Sequence, residues 1–503
     1  MAVVVGVVTV LRPFWAATYP PMTDLPFHAA QTSIFRHYFD PSYHFREQFE
    51  ITPLAVPYVS SYLLGALFML VLPAVPAVKA ATAVMLLAVP GGLAVLAWGM
   101  RKSPILGMLG LPFVWCNLTH WGFINHMAAL GIFAAVLGLT LRVLEEPTRR
   151  LQIALGGALV LLFFTHVFRF PYAVASMGIA TVLFYRRTKR IRPIVIAALP
   201  SLVLFSIFWF VRPKAVSGGV TLTFEWARRE KLFDYVIGTF ADPAEAQVAK
   251  LHLVMVVMFA VVAAALHFAT RPRTERSARE TSFAWLATAA VGGALVVMLV
   301  GYFVLPMEIG IWWYVFPREA TSVLYLAMAL VPDLPRSIWA KGVAVAAFSW
   351  SAWSASTVVA RNYEVFDRAT RDFSRIIESI PQGPRLLYLV MDHSGSTRLQ
   401  TPFIHLPAYV QAERGGFLSF HFAMWDASPA RYRRDPDATV PPPVPLRWEW
   451  QPSQFRVERH GPFFNWFLVR SRSDPGRLFG RDPSIEEVRH EGTWWLYRRT
   501  ERH

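Results

Sequence analysis

The sequence predicts a polytopic α-helical membrane protein that carries a small α/β domain at its C-terminal end. Of its 503 residues, 54% are hydrophobic and only 16% are charged, whereas charged residues make up roughly 25% of an ordinary soluble domain. Apolar stretches of bilayer length recur throughout residues 1–359. The single cysteine, Cys116, allows no intrachain disulfide. These observations exclude a disordered chain, a collagen-like chain, a disulfide-framed mini-protein and a single soluble domain.

About eleven stretches fit the roughly 17–25 residues that a transmembrane helix needs. They lie near residues 1–17, 79–99, 104–119, 121–141, 151–168, 171–185, 193–211, 251–269, 282–304, 319–333 and 339–359. The first stretch starts at Met1 without a basic flank and contains Arg12. Because a cleaved signal peptide has a positively charged region before its apolar run, we interpret this stretch as a signal-anchor.

The basic residues predict on which side of the membrane each loop lies. The net charge is +16, and Lys and Arg are concentrated in short clusters between the apolar stretches. These clusters lie at residues 101–102, 142–150, 186–192, 271–279 and 336–341. Alternation puts all of them on one side, which the positive-inside rule identifies as cytoplasmic. The sequence therefore predicts a multi-pass protein of the bacterial inner (cytoplasmic) membrane without a nucleic-acid partner, and it predicts extracytoplasmic loops near 213–250 and 305–318.

Because of residues 54–72, the sequence alone leaves two possibilities for the side of the membrane on which the first loop lies. They are apolar enough to cross the bilayer, in which case the N-terminus and the loop 18–53 exchange sides. Pro57 and Pro73 favour a broken helix over an uninterrupted span. We therefore predict a re-entrant or interfacial helix near 54–72 and an extracytoplasmic first loop 18–53, within a membrane domain that covers residues 1–359.

Residues 360–503 form a second domain with many Arg, no Lys and frequent Pro. Strand-forming runs lie at 385–391, 466–470 and 494–497, and helical patterns lie at 362–380 and around 484–489. About 140 residues are enough for a separate hydrophobic core. The sequence thus predicts a small extracytoplasmic α/β domain.

The first loop carries the strongest chemical signal. It begins Pro-Met-Thr-Asp-Leu-Pro-Phe-His, so that Asp24 precedes a Leu-Pro helix start and His28 follows one turn later. An Asp at this position is typical of a helix N-cap. A carboxylate at the membrane surface can also serve as a catalytic base or a metal ligand. Both interpretations of Asp24 stay open, and His28 is either its neighbour in catalysis or an ordinary interfacial residue.

This loop, followed by a partly embedded helix, many spans and a C-terminal soluble domain, resembles the GT-C superfamily of integral-membrane glycosyltransferases, and most closely its bacterial members. Stretches at 121–125, 405–409 and 492–497 fit the same resemblance. The resemblance implies an enzyme that takes a sugar from a polyprenyl-phosphate donor and transfers it to an envelope acceptor at the extracytoplasmic face. Its partners would be membrane lipid and the polyprenyl-phosphate sugar.

The resemblance also implies roles for single residues. Asp24 would be the general base on the acceptor hydroxyl, and His28 a second catalytic residue. Such enzymes often use a divalent metal, so that Mg or Mn is an expected cofactor. Many members have a second acidic residue close to the first. Here the nearest are Asp40 and then Glu47, so Asp24 and Asp40 are the predicted metal ligands.

Four further residues are candidates for contact with the lipid phosphate or the substrate. Arg318 and Arg169 lie at predicted outer membrane ends, where a guanidinium suits a phosphate and would stabilise the leaving group. Each is alternatively an interfacial anchor. Asn125 and His126 fall near the outer end of a span, where polar groups mark a cavity or join helices.

Two other functions stay open besides the glycosyltransferase. A transporter of a lipid-linked substrate would be expected to have paired half-repeats and a chain of charges through its spans, and neither is apparent in the sequence. A non-catalytic scaffold in envelope assembly would share the fold without needing Asp24. These hypotheses differ in whether the function depends on Asp24 or on charges within the spans.

Overall fold

A computed structural model describes residues 2–212, 221–232, 235, 242–269, 278–310, 312–393, 401–425, 428–445, 447–480 and 482–500. Parts of the predicted outer loop 213–250 and most of the basic cluster 271–279 therefore lie outside the described residues. The chain divides into two compact units. The first unit comprises Met1–Pro13, Ala83–Thr119 and Phe123–Val359, and the second comprises Phe14–Thr82, His120–Gly122 and Ala360–His503.

The described residues are mostly helical. The α-helices are Ala2–Trp15, Leu25–His37, Phe45–Gln48, Ser60–Phe68, Ala74–Gly99, Gly110–Phe113, Asn117–Trp121, Ile124–Glu145, Arg149–Thr165, Phe170–Thr188, Arg192–Val211, Pro243–Ala269, Ala278–Val304, Pro317–Ala327, Ile338–Ala369, Arg371–Ile377, Ala408–Arg414 and Val457–His460. The strands are Phe49–Ile51, Leu222–Thr223, Glu308–Ile309, Arg385–Val390, Phe417–Leu418, Ala430–Tyr432, Trp466–Arg470, Ile485–Glu491 and Trp494–Arg499.

Among the described residues, seven helices are long and apolar enough to cross a membrane. They are Ala74–Gly99, Ile124–Glu145, Val167–Thr188, Arg192–Val211, Pro243–Leu266, Glu280–Val304 and Ile338–Ala369. Each corresponds to a predicted span, which confirms the polytopic helical class.

The predicted number of eleven spans is not confirmed. The stretch 104–119 is divided into the short helices Pro104–Leu109, Gly110–Phe113 and Asn117–Trp121. The stretch 319–333 contains a helix of only 11 residues. The remaining two stretches, near 1–17 and 151–168, form helices of 14 and 17 residues.

Residues 54–72 contain a nine-residue helix, Ser60–Phe68. At 1.5 Å per residue it is about 14 Å long, roughly half of the hydrocarbon thickness of a bilayer. Gly65 faces Thr32 of the helix Leu25–His37, and a Cβ at Gly65 would lie 2.6 Å from the Thr32 methyl group. The helix is thus too short to cross the bilayer, and its interfacial position stays a prediction.

Paired glycines allow two helices of the first unit to touch. A Cβ on Gly92 would overlap the backbone carbonyl of Gly131, and a Cβ on Gly99 would lie 2.5 Å from the Cα of Gly138. Each pair is one heptad from the next on both helices, so the same faces meet twice. In a membrane, where lipid is as apolar as leucine, such close backbone approach provides the packing that holds helices together.

The second unit contains a five-stranded sheet. Its strand order is Phe417–Leu418, Arg385–Val390, Trp466–Arg470, Trp494–Arg499 and Ile485–Glu491. The first two pairings are parallel and the last two are antiparallel. Arg385–Val390 and Trp466–Arg470 are buried along nearly their whole length, as expected of central strands. The three strands predicted from the sequence are all present.

The predicted helix around 484–489 is wrong, because these residues form the edge strand Ile485–Glu491. A tight turn at Gly492, where φ is +58°, joins this strand to Trp494–Arg499. Glu486 pairs across the two strands with Arg498 at 2.7 Å. Pairing with a neighbouring strand thus overrides the local helical pattern. The predicted helix at 362–380 is present in two pieces, which end at Ala369 and Ile377.

The first loop belongs to the same unit as the C-terminal residues. Phe49–Ile51 pairs with Ala430–Tyr432 in an antiparallel ladder. Beside it, Ile34, Phe45 and Phe49 form a buried cluster with Ala423 and Ala430. The sequence assigned residues 18–53 to the membrane domain, whereas in the structure they contribute to the core of the second unit.

Candidate functional site

Asp24 lies in an irregular segment just before the helix Leu25–His37. Its backbone N–H donates to the carbonyl of Trp121 at 3.0 Å, and the N–H of Thr23 donates to the carbonyl of His120 at 2.9 Å. The next residue, Gly122, has φ +93°, and a Cβ there would lie 2.9 Å from the Asp24 Cβ. Only glycine suits both this backbone conformation and this contact, so residues 120–122 form a fitted support for Asp24.

The side chain of Asp24 does not cap its helix. It accepts no hydrogen bond from the first helical N–H groups, although its position in the sequence is typical of a cap. Instead, Oδ1 lies 3.1 Å from Nδ1 of His405. Because a carboxylate only accepts hydrogen bonds, Nδ1 carries the proton in this contact. The side chain of Asp24 keeps 18% of its surface exposed and that of His405 only 7%.

Aromatic rings and a second carboxyl group surround His405. Its ring centroid lies 4.6 Å from that of Phe27 and 5.5 Å from that of Phe422. Among the described residues, its Nε2 and the buried Oε2 of Glu449 have no hydrogen-bond partner. Burial raises the pKa of Glu449, against the opposing effect of His405. The side chain of Glu449 therefore favours its protonated form more than an exposed glutamate does.

His28 is held by two hydrogen bonds. Its Nε2 lies 3.0 Å from the carbonyl oxygen of Gly122, and its Nδ1 lies 2.9 Å from the hydroxyl of Tyr62. Since a carbonyl can only accept, Nε2 is protonated and Nδ1 accepts from Tyr62. Burial lowers the pKa of His28, and the charge of Asp24 opposes that shift. The geometry favours a positioning role for His28, which fixes Gly122 beneath Asp24.

The structure does not bring Asp40 to Asp24. The 13-residue helix Leu25–His37 separates them and is about 20 Å long, so the two carboxylates cannot share an ion. Asp40 instead caps the next turn, accepting from the N–H of Ser42 at 3.0 Å. No group of three or more His, Cys, Asp or Glu side chains with metal-binding geometry occurs within the described residues. The predicted Asp24–Asp40 metal pair is therefore wrong, and the use of a metal stays a prediction.

Arg169, in the first unit, is the centre of a buried polar cluster. Its Nη1 lies 2.7 Å from Oε2 of Glu319, and these two side chains are only 2% and 6% exposed. Its Nη2 donates to the hydroxyl of Ser322 at 2.7 Å and lies 3.4 Å from Nε2 of His126. A buried arginine requires such a partner to offset its desolvation. Arg169 and His126 are thus brought together, and Glu319 neutralises the charge of Arg169.

Arg318 and Asn125 lie in different surroundings within the same unit. Arg318 is half-buried and donates to the carbonyls of Tyr314 and Trp313 at 3.1 and 3.0 Å. Its guanidinium lies 4.3 Å from the ring centroid of Phe123. Asn125 is buried, and its Oδ1 lacks a hydrogen-bond partner within the described part of the chain.

Sequence reasoning did not identify three of the residues that matter here. His405 lies 381 positions from Asp24, and Glu319 lies 150 positions from Arg169, so no local spacing could connect them. The stretch 405–409 fits the family resemblance, but nothing in its sequence gives His405 a role. Glu449, between two tryptophans, had no distinguishing signal.

Comparisons with known proteins support the fold. No protein-family model matches the chain, and no curated protein matches its sequence. Nine chains of solved structures do match. One is the crystal structure of ArnT from Cupriavidus metallidurans bound to undecaprenyl phosphate, with a TM-score of 0.55 and 13% sequence identity. The match covers 99% of this chain and 96% of that one. This similarity shows that the chain shares its fold with that protein, as the predicted resemblance implies.

Proposed function

We propose that the chain is a membrane glycosyltransferase that transfers a sugar from a polyprenyl-phosphate donor to an envelope acceptor, with Asp24 as the general base. The observation that carries the proposal is the Asp24 carboxylate, which is held by His405 instead of capping its helix. The fold supports it, because ArnT has the same architecture and was crystallised with undecaprenyl phosphate. We also propose that the second unit is extracytoplasmic, as the basic loops predict.

In the proposed reaction, a hydroxyl group of the acceptor gives its proton to Asp24 as its oxygen attacks the anomeric carbon of the sugar. A new carbon–oxygen bond forms there. The bond from the same carbon to the polyprenyl phosphate breaks, and its electron pair leaves with the phosphate. Asp24 suits the role of base because its carboxylate keeps more exposed surface than His405, whose Nε2 is enclosed. The Nδ1–H of His405 then fixes one carboxylate oxygen and leaves the other for the acceptor.

The lipid phosphate needs a cation to stabilise its charge, and we propose Arg318 for this contact. Arg169 is less suitable, because Glu319 already neutralises its charge at 2.7 Å. The guanidinium of Arg318 donates to two carbonyls and lies over one aromatic ring, and its planar fork of donors suits the oxygens of a phosphate. Asn125, with a buried and unpartnered Oδ1 within the described residues, stays a predicted substrate contact together with His126.

A cellular experiment tests the proposal against its alternatives. A strain lacking the chain is complemented with wild type, Asp24→Asn, Asp40→Asn or Glu319→Gln, and its envelope glycans and glycolipids are compared by mass spectrometry at matched protein levels. We expect Asp24→Asn to lose the same product as the deletion, and Asp40→Asn to restore it. Restoration by Asp24→Asn would contradict the enzyme. In that case, failure of Glu319→Gln would indicate a transporter, and restoration by both would indicate a scaffold.

A further inference from the structure

A second charged region lies far from Asp24 and Arg318 in the sequence, where four helices of the first unit end. The cavity there has a volume of about 770 Å³, which is within the range of small-molecule sites. Five cationic side chains and three carboxylates line it. The cations are Arg101, Lys102, Arg142, Arg187 and Arg190. We call this region the basic cavity. Cations outnumber carboxylates in its wall, so it favours an anion.

The basic cavity lies at one surface of the membrane. Arg187 lies near the C-terminal end of the helix Phe170–Thr188, whereas Arg169 precedes its first residue. A helix of 19 residues is about 28 Å long, close to the thickness of the hydrocarbon layer. The basic cavity is therefore at headgroup level, on the face opposite to Arg169. The basic loops predict that this face is cytoplasmic.

One carboxylate organises the cations. Glu145 pairs with Arg142 at 2.9 Å and also with Arg101, while Arg190 donates to the carbonyl of Glu145. The guanidinium of Arg142 lies 4.6 Å from the ring centroid of Trp98. Because a single carboxylate is shared by two arginines, it neutralises only one of their charges. The arginines are held in fixed positions that are ready for a second anion.

Two of the arginines are partly exposed in the wall of the basic cavity. Among the described residues, Arg142 and Arg190 each donate hydrogen bonds through one terminal nitrogen, and both side chains are half-buried. Lys102 is different, since its ammonium donates to the carbonyls of Ala329 and Val331 at 2.8 and 2.7 Å. Planar guanidinium groups suit a phosphate, whose oxygens accept two parallel hydrogen bonds.

We propose that the basic cavity binds the phosphate of an anionic glycerophospholipid of the adjoining leaflet. Topology alone explains why basic residues occur in these loops, but it would leave them dispersed in water or among headgroups. Here they line one partly open cavity at the ends of transmembrane helices, and basic pockets between such helices are where membrane proteins bind anionic headgroups. The site goes beyond sugar transfer and does not require it.

Lipid binding to the purified full-length protein tests this proposal. Native mass spectrometry in a neutral detergent measures the affinity for dioctanoyl-phosphatidylglycerol, dioctanoyl-phosphatidylcholine and inorganic phosphate. We expect phosphatidylglycerol to bind at least about tenfold more tightly than the other two, because it alone combines net charge with an acyl anchor. Equal binding of both lipids would overturn the proposal, and equal binding of inorganic phosphate would overturn the lipid as the occupant.

Adjacent arginines provide a matched pair of variants. Arg187 lines the basic cavity, whereas Arg186, its neighbour on the same helix, is exposed and does not. We expect Arg187→Gln to weaken phosphatidylglycerol binding about tenfold, the value of one charge-assisted hydrogen bond, and Arg186→Gln to leave it unchanged. Equal effects of the two variants would contradict a defined site.

A variant that binds lipid more tightly than wild type distinguishes a defined binding site from an effect of misfolding. Glu146 is an exposed carboxylate in the wall of the basic cavity. Removing its negative charge in Glu146→Gln should tighten phosphatidylglycerol binding by about threefold, the scale of a screened surface charge. An unchanged or weaker affinity of Glu146→Gln would count against the basic cavity as the binding site.

Discussion

The contact between Asp24 and His405 is the feature of the second unit on which the proposed chemistry depends. A cap would have satisfied backbone N–H groups and left the carboxylate at a helix end. In this chain the carboxylate is instead held by a histidine at 3.1 Å, beside an enclosed Glu449. In the proposed reaction His405 acts through Asp24, which would make it a positioning residue.

Two substitutions of His405 distinguish positioning from simple packing. Asn places an amide N–H close to the position of Nδ1, whereas Ala removes the donor. We expect His405→Ala to lower turnover by about tenfold or more, with a smaller effect on KM, since one charged hydrogen bond is worth about 1.5–3 kcal/mol. His405→Asn should recover much of the loss. Equal activity of the two variants, measured as product formed per protein, would contradict the positioning role.

His421 makes the stability of the second unit depend on pH. Its side chain is fully buried, and its Nδ1 accepts the N–H of Ala423 at 3.0 Å, so the neutral form is required. Burial lowers its pKa to about 3. Between the unfolded pKa of about 6.5 and this value, only the unfolded chain binds the proton. Stability is therefore complete above pH 6.5 and falls with acidification, by on the order of 2 kcal/mol at pH 5.

Thermal unfolding of the full-length protein in detergent at pH 7 and pH 5 measures this effect. We expect the unfolding midpoint of wild type to fall clearly more on acidification than that of His421→Gln, although the variant is less stable at pH 7. The lowered pKa of His28 leaves the variant a residual slope of the same sign. Identical pH dependence of the two proteins would show that His421 is not the titrating group.

Single residues were predicted from sequence only where local signals sufficed. Asp24 was identified by its place before a Leu-Pro helix start, and the choice between cap and base needed the position of His405. The predicted metal ligand Asp40 failed because sequence proximity is not spatial proximity when a 13-residue helix intervenes. His28 was assigned to the same face as Asp24, but its hydrogen bonds to Gly122 and Tyr62 depend on segments distant in the sequence.

At the scale of the elements, glycine pairs fix the packing of Ala74–Gly99 against Ile124–Glu145. Gly92 abuts the backbone of Gly131, whereas its neighbour Gly91 has no atom within 4 Å of an added Cβ. We expect Gly92→Ala to destabilise the protein by about 1–3 kcal/mol, the usual cost of overpacking. Gly91→Ala should be neutral or slightly stabilising, since alanine favours helix. Thermal unfolding midpoints compare them, and equal midpoints would contradict the close helix contact.

Helices and strands could be predicted from the sequence where the pattern of apolar residues was unambiguous. Long apolar runs identified the spans, and runs of β-branched and aromatic residues identified three central strands. The edge strand Ile485–Glu491 was mistaken for a helix because its charged residues carry no alternation, and only pairing with Trp494–Arg499 defines it. Apolar composition at 104–119 did not reveal that the helix breaks.

At the scale of the whole molecule, the chain forms two units that do not follow sequence order. Residues 14–82 fold with residues 360–503, and the short segment 120–122 joins them. Sequence composition placed a boundary near residue 360, but it could not assign the first loop, because the strand pairing of Phe49–Ile51 with Ala430–Tyr432 is long-range.

The sidedness of the second unit can be measured by cysteine labelling in a Cys116→Ser background. Phe39 is 78% exposed and belongs to the same unit as Asp24, whereas Arg150 is exposed in a basic loop. We expect a membrane-impermeant maleimide to label Phe39→Cys in intact cells and Arg150→Cys only after permeabilisation. The reverse pattern would place Asp24 on the cytoplasmic side and contradict the predicted topology.

The most direct test of the proposed sugar transfer is the release of polyprenyl phosphate by the purified protein. This co-product is the same whichever sugar is transferred, so a lipid extract from envelope membranes can supply both donor and acceptor. We expect wild type and Asp40→Asn to release polyprenyl phosphate over time, and Asp24→Asn to be slower by about 100-fold or more, the usual contribution of a general base. Release by Asp24→Asn at the rate of wild type would contradict the central role of Asp24.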